Sequence, residues 1–267
     1  MLMLAETNTH LPLGLALLQD LLHAPDSGDI VRALLRWSHF VAGIAWVGLL
    51  YFFNLVHLPA MAVLDAPTKQ KVVPELLDRA LWYFRWGAVV TVLAGAIYYA
   101  TYILAADAHA AGIKPVGPFM HWLGTSVVFY ALLYALYMVP ALRNNGVLLG
   151  VAVAVLMAAM LFVLVKIMGG MGNGIVAPGN LASGKFMGNK SLSIAAGGGL
   201  GMIMLLNVWG IIWRCQKRIL AALRNGDTPP ADLVRKAYLA SRTNFFLSFP
   251  MLFFMATSHG DWVLFGK

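Results

Sequence analysis

Charge is what this sequence has least of. Only 11% of its 267 residues are Asp, Glu, Lys or Arg, while 60% are hydrophobic. Soluble domains carry about 25% charged residues, so a water-soluble enzyme is excluded. The chain left outside a bilayer is also too short for a second domain. Cysteine is nearly absent. The single Cys215 excludes a disulfide framework, a cysteine-based zinc site, an iron–sulfur cluster and covalent haem c, which needs a CxxCH pair. Acidic residues are few, 11 against 19 Lys and Arg, giving a net charge of +8. Most of these cations flank apolar segments, so they are topology signals and no nucleic-acid partner is expected.

Long apolar runs, by contrast, are abundant. Stretches 37–64, 86–106, 115–142, 144–165, 191–213 and 243–260 hold no Asp, Glu, Lys or Arg. Each can supply the roughly 17–25 residues that cross a bilayer. The sequence therefore predicts an all-α fold, a polytopic membrane helix bundle forming one integral membrane domain over residues 1–267. About six transmembrane helices are expected, near 33–58, 82–106, 118–141, 146–168, 191–215 and 238–259. A short interfacial helix is expected at Leu11–Leu22, within the N-terminal segment 1–30.

Six spans place both termini on one side of the membrane. Twelve of the 19 Lys and Arg, between Lys69 and Arg242, fall on the other side, which the positive-inside rule makes cytoplasmic. Both termini are then periplasmic. Segment 59–78, with Pro59, Pro67 and Pro74, reads as a loop joining the first two spans. Segment 216–236 reads as a basic cytoplasmic loop and 168–190 as a Gly-rich periplasmic loop.

Histidine is the informative residue type, because ionisable groups in a membrane are costly and usually functional. His39 lies near the periplasmic end of the first span, His121 begins the third, and His259 ends the sixth. Three imidazoles at one depth can supply two axial ligands to a b-type haem. They can also make a small Cu, Zn or Fe site. The plainer alternative is that each only hydrogen-bonds at the interface.

His57 follows His39 by 18 residues, five helical turns and about 27 Å along one face. Asn54 precedes it by a turn. Arg85 opens the second span, and Arg242 and Asn244 open the sixth, all at the cytoplasmic end. Arg with Asn and His donors can hold a planar anionic substrate through forked hydrogen bonds. Simple snorkelling of the two arginines is the alternative.

Other features read as structural. Gly169–Gly174 lacks the preceding strand that a dinucleotide fingerprint requires. Met168, Met171 and Met187 suit Cu(I) as soft ligands, but in a chain with 14 methionines packing explains them better. Gly87, Thr91 and Gly95, and again Gly197 and Gly201, recur at every fourth position, which lets helices approach closely or makes room for a flat cofactor. The tryptophans, such as Trp37, Trp82 and Trp122, cluster toward span ends as an interfacial belt.

The run Arg36-Trp37-Ser38-His39, then Ala42-Gly43-Ile44-Ala45-Trp46-Val47-Gly48 and Tyr51-Phe52-Phe53-Asn54, resembles the opening helix of PuuD-type membrane urate hydroxylases. Trp82-Tyr83-Phe84-Arg85-Trp86-Gly87 is similar to that family's second helix. Ser241-Arg242-Thr243-Asn244 through Met255, then Ser258-His259, is similar to its last helix, with Thr243 where the family is expected to carry a His. More loosely, the first helix resembles those of the haem-binding HemJ and copper-resistance CopD families.

The urate hydroxylase resemblance implies a bacterial inner-membrane oxidoreductase that oxidises a purine such as urate to 5-hydroxyisourate and passes electrons to cytochrome c. With no CxxCH here, that acceptor is expected to be a separate protein. Haem b on two of His39, His121 and His259, with His57 a further candidate, is the expected cofactor. The rival expectation is a non-catalytic accessory or haem-b electron-transfer subunit of a larger respiratory or oxygenase complex. Either form admits a homo- or hetero-oligomer. A solute transporter fits less well, because no acidic residue lies in a span core and no internal repeat is visible.

Overall fold

A computed structural model describes residues 26–170, 187–259 and 264–265. The interfacial helix expected at 11–22 and most of the Gly-rich segment 168–190 lie outside the described residues. The described chain is helical, without strands. Its helices are α1 (Ser27–Val63), α2 (Ala66–Ala110), α3 (Val116–Met138), the single-turn α4 (Pro140–Asn144), α5 (Gly146–Gly170), α6 (Asn189–Arg224) and α7 (Ala231–Thr257).

Among the described residues, five helices are long and apolar enough to cross a membrane: α1, α2, α3, α5 and α6. The sixth expected span is α7, 27 residues long and thus about 40 Å. It is less apolar because Thr243, Asn244 and Ser248 interrupt its hydrophobic run, and all three are buried inside the bundle. The helices alternate in direction. One end of the bundle (end A) carries His39 and His259, and the other (end B) carries His57 and Arg85.

Two expected loops are largely helical. Segment 59–78 is not a loop: α1 runs to Val63 and α2 starts at Ala66, leaving Leu64 and Asp65 between them. Pro67 sits in the first turn of α2, where a missing N–H is harmless. Segment 216–236 is also mostly helix, because α6 continues to Arg224 and α7 begins at Ala231. The extension of α6 is amphipathic, burying Cys215, Ile219 and Leu220 while its cations face out. It stops at Gly226, whose φ of 79° suits the left-handed cap. There Asp227 N donates to Ala222 O and Gly226 N donates to Leu223 O, the paired bonds of a Schellman ending.

α6 is the most buried of the five spans, and glycine makes that position possible. A methyl group on Gly197 would stand 3.1 Å from Met251 O of α7. On Gly198 it would meet Trp122 of α3 at 3.3 Å, and on Gly199 it would meet Leu164 of α5 at 3.0 Å. Three successive residues thus touch three different helices. Polar clasps add to this packing. Asn207 Nδ2 donates to Ala240 O (3.0 Å) and Asn244 Oδ1 (2.8 Å), while Asn244 Nδ2 donates to Met204 O (3.0 Å). Such interhelical bonds are worth about 0.6 kcal/mol on average in a membrane.

Gly197→Ala forces α6 from the backbone of α7 and is expected to lower stability by about 1–3 kcal/mol. Gly150→Ala on α5, with open space around it, is expected to melt as the parent does. Thermal unfolding of both variants in detergent checks the pair.

Candidate functional site: a two-histidine cavity

At end A, α1, α2, α3, α6 and α7 enclose a cavity of about 760 Å³. That size lies within the roughly 300–1,000 Å³ usual for ligand pockets. His39 and His259 both line it. The lining residues that are exposed belong to α1, to α7 and to the turn after it, among them Phe40, Ile44, Leu252 and His259. The cavity therefore opens on the apolar flank between these two helices. Toward end B the same helices close up: Ser248 Oγ gives its one proton to Phe245 O (2.7 Å) and accepts from Tyr51 Oη (3.1 Å), and Asn54 Nδ2 donates to Ser241 Oγ (3.0 Å).

The approach of α1 to α2 sets His39 in place. Gly87 of α2 lies under Ala42 and Trp46, Thr91 under Gly43, and Gly95 under the His39 ring. The small residues spaced by four along α2 therefore form the α1–α2 contact. His39 Nδ1 lies 2.7 Å from Thr91 O. A carbonyl accepts only, so Nδ1 carries the proton and Nε2 keeps its lone pair. A backbone carbonyl in this role orients a ligating imidazole and raises its basicity. At His259, Ser258 Oγ donates its one proton to Met255 O at 2.7 Å. The 2.7 Å contact between that oxygen and His259 Nδ1 then has the ring N–H donating. Nε2 of His259 is likewise left as an acceptor.

His121 does not join them. Its neighbour Trp122 takes the inward position on α3 and donates to Ala195 O at 3.0 Å. His121, about 100° further round the helix, is exposed and bonds to Gly117 O of its own helix at 2.8 Å. Among the described residues, no three His, Cys, Asp or Glu side chains gather as a metal-ion site, so the small-metal alternative lacks its ligand set there.

End B holds the other expected residues. His57 and Asn54 lie in a π-helical turn, Phe52–His57, and are both buried. Such turns recur at functional sites. Asn54 Nδ2 also donates to Leu50 O (2.9 Å). Arg85 lies over the Trp213 ring at 3.8 Å and near Trp209 at 5.7 Å. Arg242 instead covers Phe245 and Phe246 of its own helix, each at 5.3 Å. Asn244 is fully buried and held in the α6–α7 clasp, which gives it a structural task in place of the expected substrate contact. Asn54 Oδ1, His57 Nδ1 and Arg85 Nε are buried without a partner.

Three lining residues were not among the expected site residues. Trp46 and Tyr99 are 1% and 2% exposed, yet Trp46 Nε1 and Tyr99 Oη have no hydrogen-bond partner. Arg36 lines the cavity near the Tyr98 ring. Arg36 and Trp46 stand at i−3 and i+7 from His39, on the same face of α1, and that spacing was the available signal.

Fold and site together define an α-helical bundle of membrane-spanning length, holding two imidazoles in an apolar, flank-opening cavity. The chain belongs to the urate oxidase N-terminal family, the family of PuuD-type urate hydroxylases, which matches residues 64–266. The match begins after α1, so His39, Asn54 and His57 lie outside it. No curated protein and no solved structure matches the chain.

Gly95→Ala would place its methyl 2.7 Å from His39 Nδ1. The ring must move and its bond to Thr91 is expected to break. Nitrogen NMR of the histidine rings checks this: one Nδ1-protonated tautomer in the parent, mixed tautomers in the variant.

Proposed function

We propose that this chain is an inner-membrane oxidoreductase subunit that oxidises a purine such as urate and passes the electrons through haem b to a separate cytochrome c. The observation that carries the reading is the pair of imidazoles lining one cavity, each with Nε2 left as acceptor. Membership of the urate oxidase family supports the purine substrate.

The residues present fit haem b. His39 and His259 would hold it, and the Thr91 carbonyl keeps His39 in the tautomer that leaves Nε2 free to ligate. Gly48 and Gly201 line the cavity, and a Cβ on either would meet nothing within 4 Å. They leave flat space where side chains would intrude. The partnerless Tyr99 Oη, on the end A side of His39, offers a donor to polar groups on a ligand's edge; Trp46 Nε1, two turns the other way, is partnerless as well. When bound, haem b supplies single-electron transfer between its ferric and ferrous states. Burial in an apolar wall and the choice of axial ligand are the protein's means of tuning that potential.

The purine site is assigned to end B, where Arg85, Asn54 and His57 keep unpaired polar atoms, with Arg242 close by in sequence to Asn54's partner Ser241. A urate anion is planar and carries acceptors around its edge, which a guanidinium matches. Hydroxylation of urate with water releases two electrons and two protons, so each turnover reduces two molecules of cytochrome c. By the positive-inside rule end B is cytoplasmic and end A periplasmic, which sets the His39 cavity on the side where a periplasmic cytochrome c docks.

The test is urate-dependent reduction of added cytochrome c by the purified protein. Arg85→Gln is expected to raise KM for urate about tenfold or more, leaving the haem spectrum unaltered. A haem-bearing protein that never reduces cytochrome c with urate would instead be the electron-transfer subunit of a larger complex.

A further inference from the structure

The cavity is unequal at its two ends. Among the described lining residues, Arg36 alone carries a permanent charge. It sits one turn beyond His39 toward end A. Tyr99 sits one turn beyond Gly95 in the same direction, and Gly95 lies against the His39 ring. Arg36 and Tyr99 therefore mark the same end of the cavity, from α1 and α2 respectively. No carboxylate among the described residues pairs with Arg36, whose guanidinium lies 5.9 Å from the centre of the Tyr98 ring. Tyr99 Oη is buried and has no partner. The opposite flank is apolar and open, with Phe40, Ile44 and Leu252 at 56%, 74% and 42% exposure.

A buried hydroxyl without a partner is costly, and an arginine on the wall of an apolar cavity favours an anionic oxygen. The ligand that satisfies both is flat and apolar, with carboxylates along one edge. We infer that Arg36 and Tyr99 form the carboxylate-recognition end of the cavity. They would receive the two propionates of a bound porphyrin at end A, leaving its apolar edge to the flank between α1 and α7. This rests on the haem reading above and deepens it. Arg36 and Tyr99 would act as positioning residues that orient the bound group, distinct from the candidate iron ligands His39 and His259.

The geometry has an electrostatic consequence. A cation beside the propionates disfavours the extra positive charge of the ferric state, so removing it favours ferric over ferrous. The midpoint potential of Arg36→Gln is expected below that of the parent. Arg36→Lys, which keeps the charge and loses the fork, is expected to hold the parent potential more closely.

The experiment compares binding of haem b and of haem b dimethyl ester to the haem-depleted full-length protein and to Arg36→Gln, Arg36→Lys and Tyr99→Phe. The parent is expected to prefer free haem over the ester about tenfold or more, the usual weight of a charge-assisted hydrogen bond. Arg36→Gln and Tyr99→Phe are each expected to lose most of that preference while binding the ester as the parent does. Equal affinity of the parent for both porphyrins, with an unchanged potential in Arg36→Gln, would overturn the inference and leave the haem site standing. Failure of the parent to bind either porphyrin would remove the haem reading itself, and this inference with it.

Discussion

Backbone-to-backbone approach at glycine is the constraint on which the rest of this bundle depends. Lipid gives no hydrophobic reason for two apolar helices to associate, so contact must come from close packing. α6 achieves it through Gly197, Gly198 and Gly199, each facing a different helix. α2 achieves it against α1 through Gly87, Thr91 and Gly95. The second contact positions His39, because the ring lies on Gly95 and its Nδ1 reaches Thr91 O. Helix packing and the orientation of the His39 ring are thus one arrangement at end A. The space that remains where α1 and α7 diverge is the cavity.

The polar groups divide by whether the fold satisfies them. Asn244, Trp122 and Trp209 find helix-to-helix partners and act as ties between α7, α3, α2 and the central α6. Trp46 Nε1 and Tyr99 Oη in the cavity, and Asn54 Oδ1, His57 Nδ1 and Arg85 Nε at end B, have none. A buried donor or acceptor left alone costs free energy that the fold does not recover, and such groups gather where function compensates for it. Asn207 Oδ1, in the α6–α7 seam, and Tyr137 Oη of α3 are also buried without a partner; what sets end A apart is that its unpaired groups line a cavity.

The bundle was legible from hydropathy because each span needs an unbroken apolar run. Helix ends were not, since a helix does not stop where its charges begin. α2 continues through Lys69, Lys71 and Arg79 below the apolar run, and α6 continues through Lys217 and Arg218. Proline misled in the same way: Pro67 and Pro74 both lie within α2. Among the site residues, His39 and His259 could be grouped by depth alone. Depth says nothing of angle around a helix, which is why His121 was grouped with them although Trp122 holds the inward position. Asn244 was grouped with Arg85, Arg242 and His57 because it opens the last span at the same end; that Asn207 and Met204 absorb its bonds depends on a partner helix no local pattern reveals. Trp46 was read only as part of a family motif, and Tyr99 carries no local signal, because a buried hydroxyl without a partner shows only once the helices are packed.

The account stands on His39 and His259 holding a b-type haem in one cavity. The most direct measurement is a reduced-minus-oxidised optical spectrum of the detergent-purified protein, made with ample haem and quantified as the pyridine haemochrome, beside the same measurement on His39→Ala. The account predicts a b-type spectrum with about one haem per chain in the parent, typical of bis-imidazole ligation, and its loss from a variant that still inserts and folds. A featureless parent spectrum, or a His39→Ala protein with undiminished haem, would contradict it.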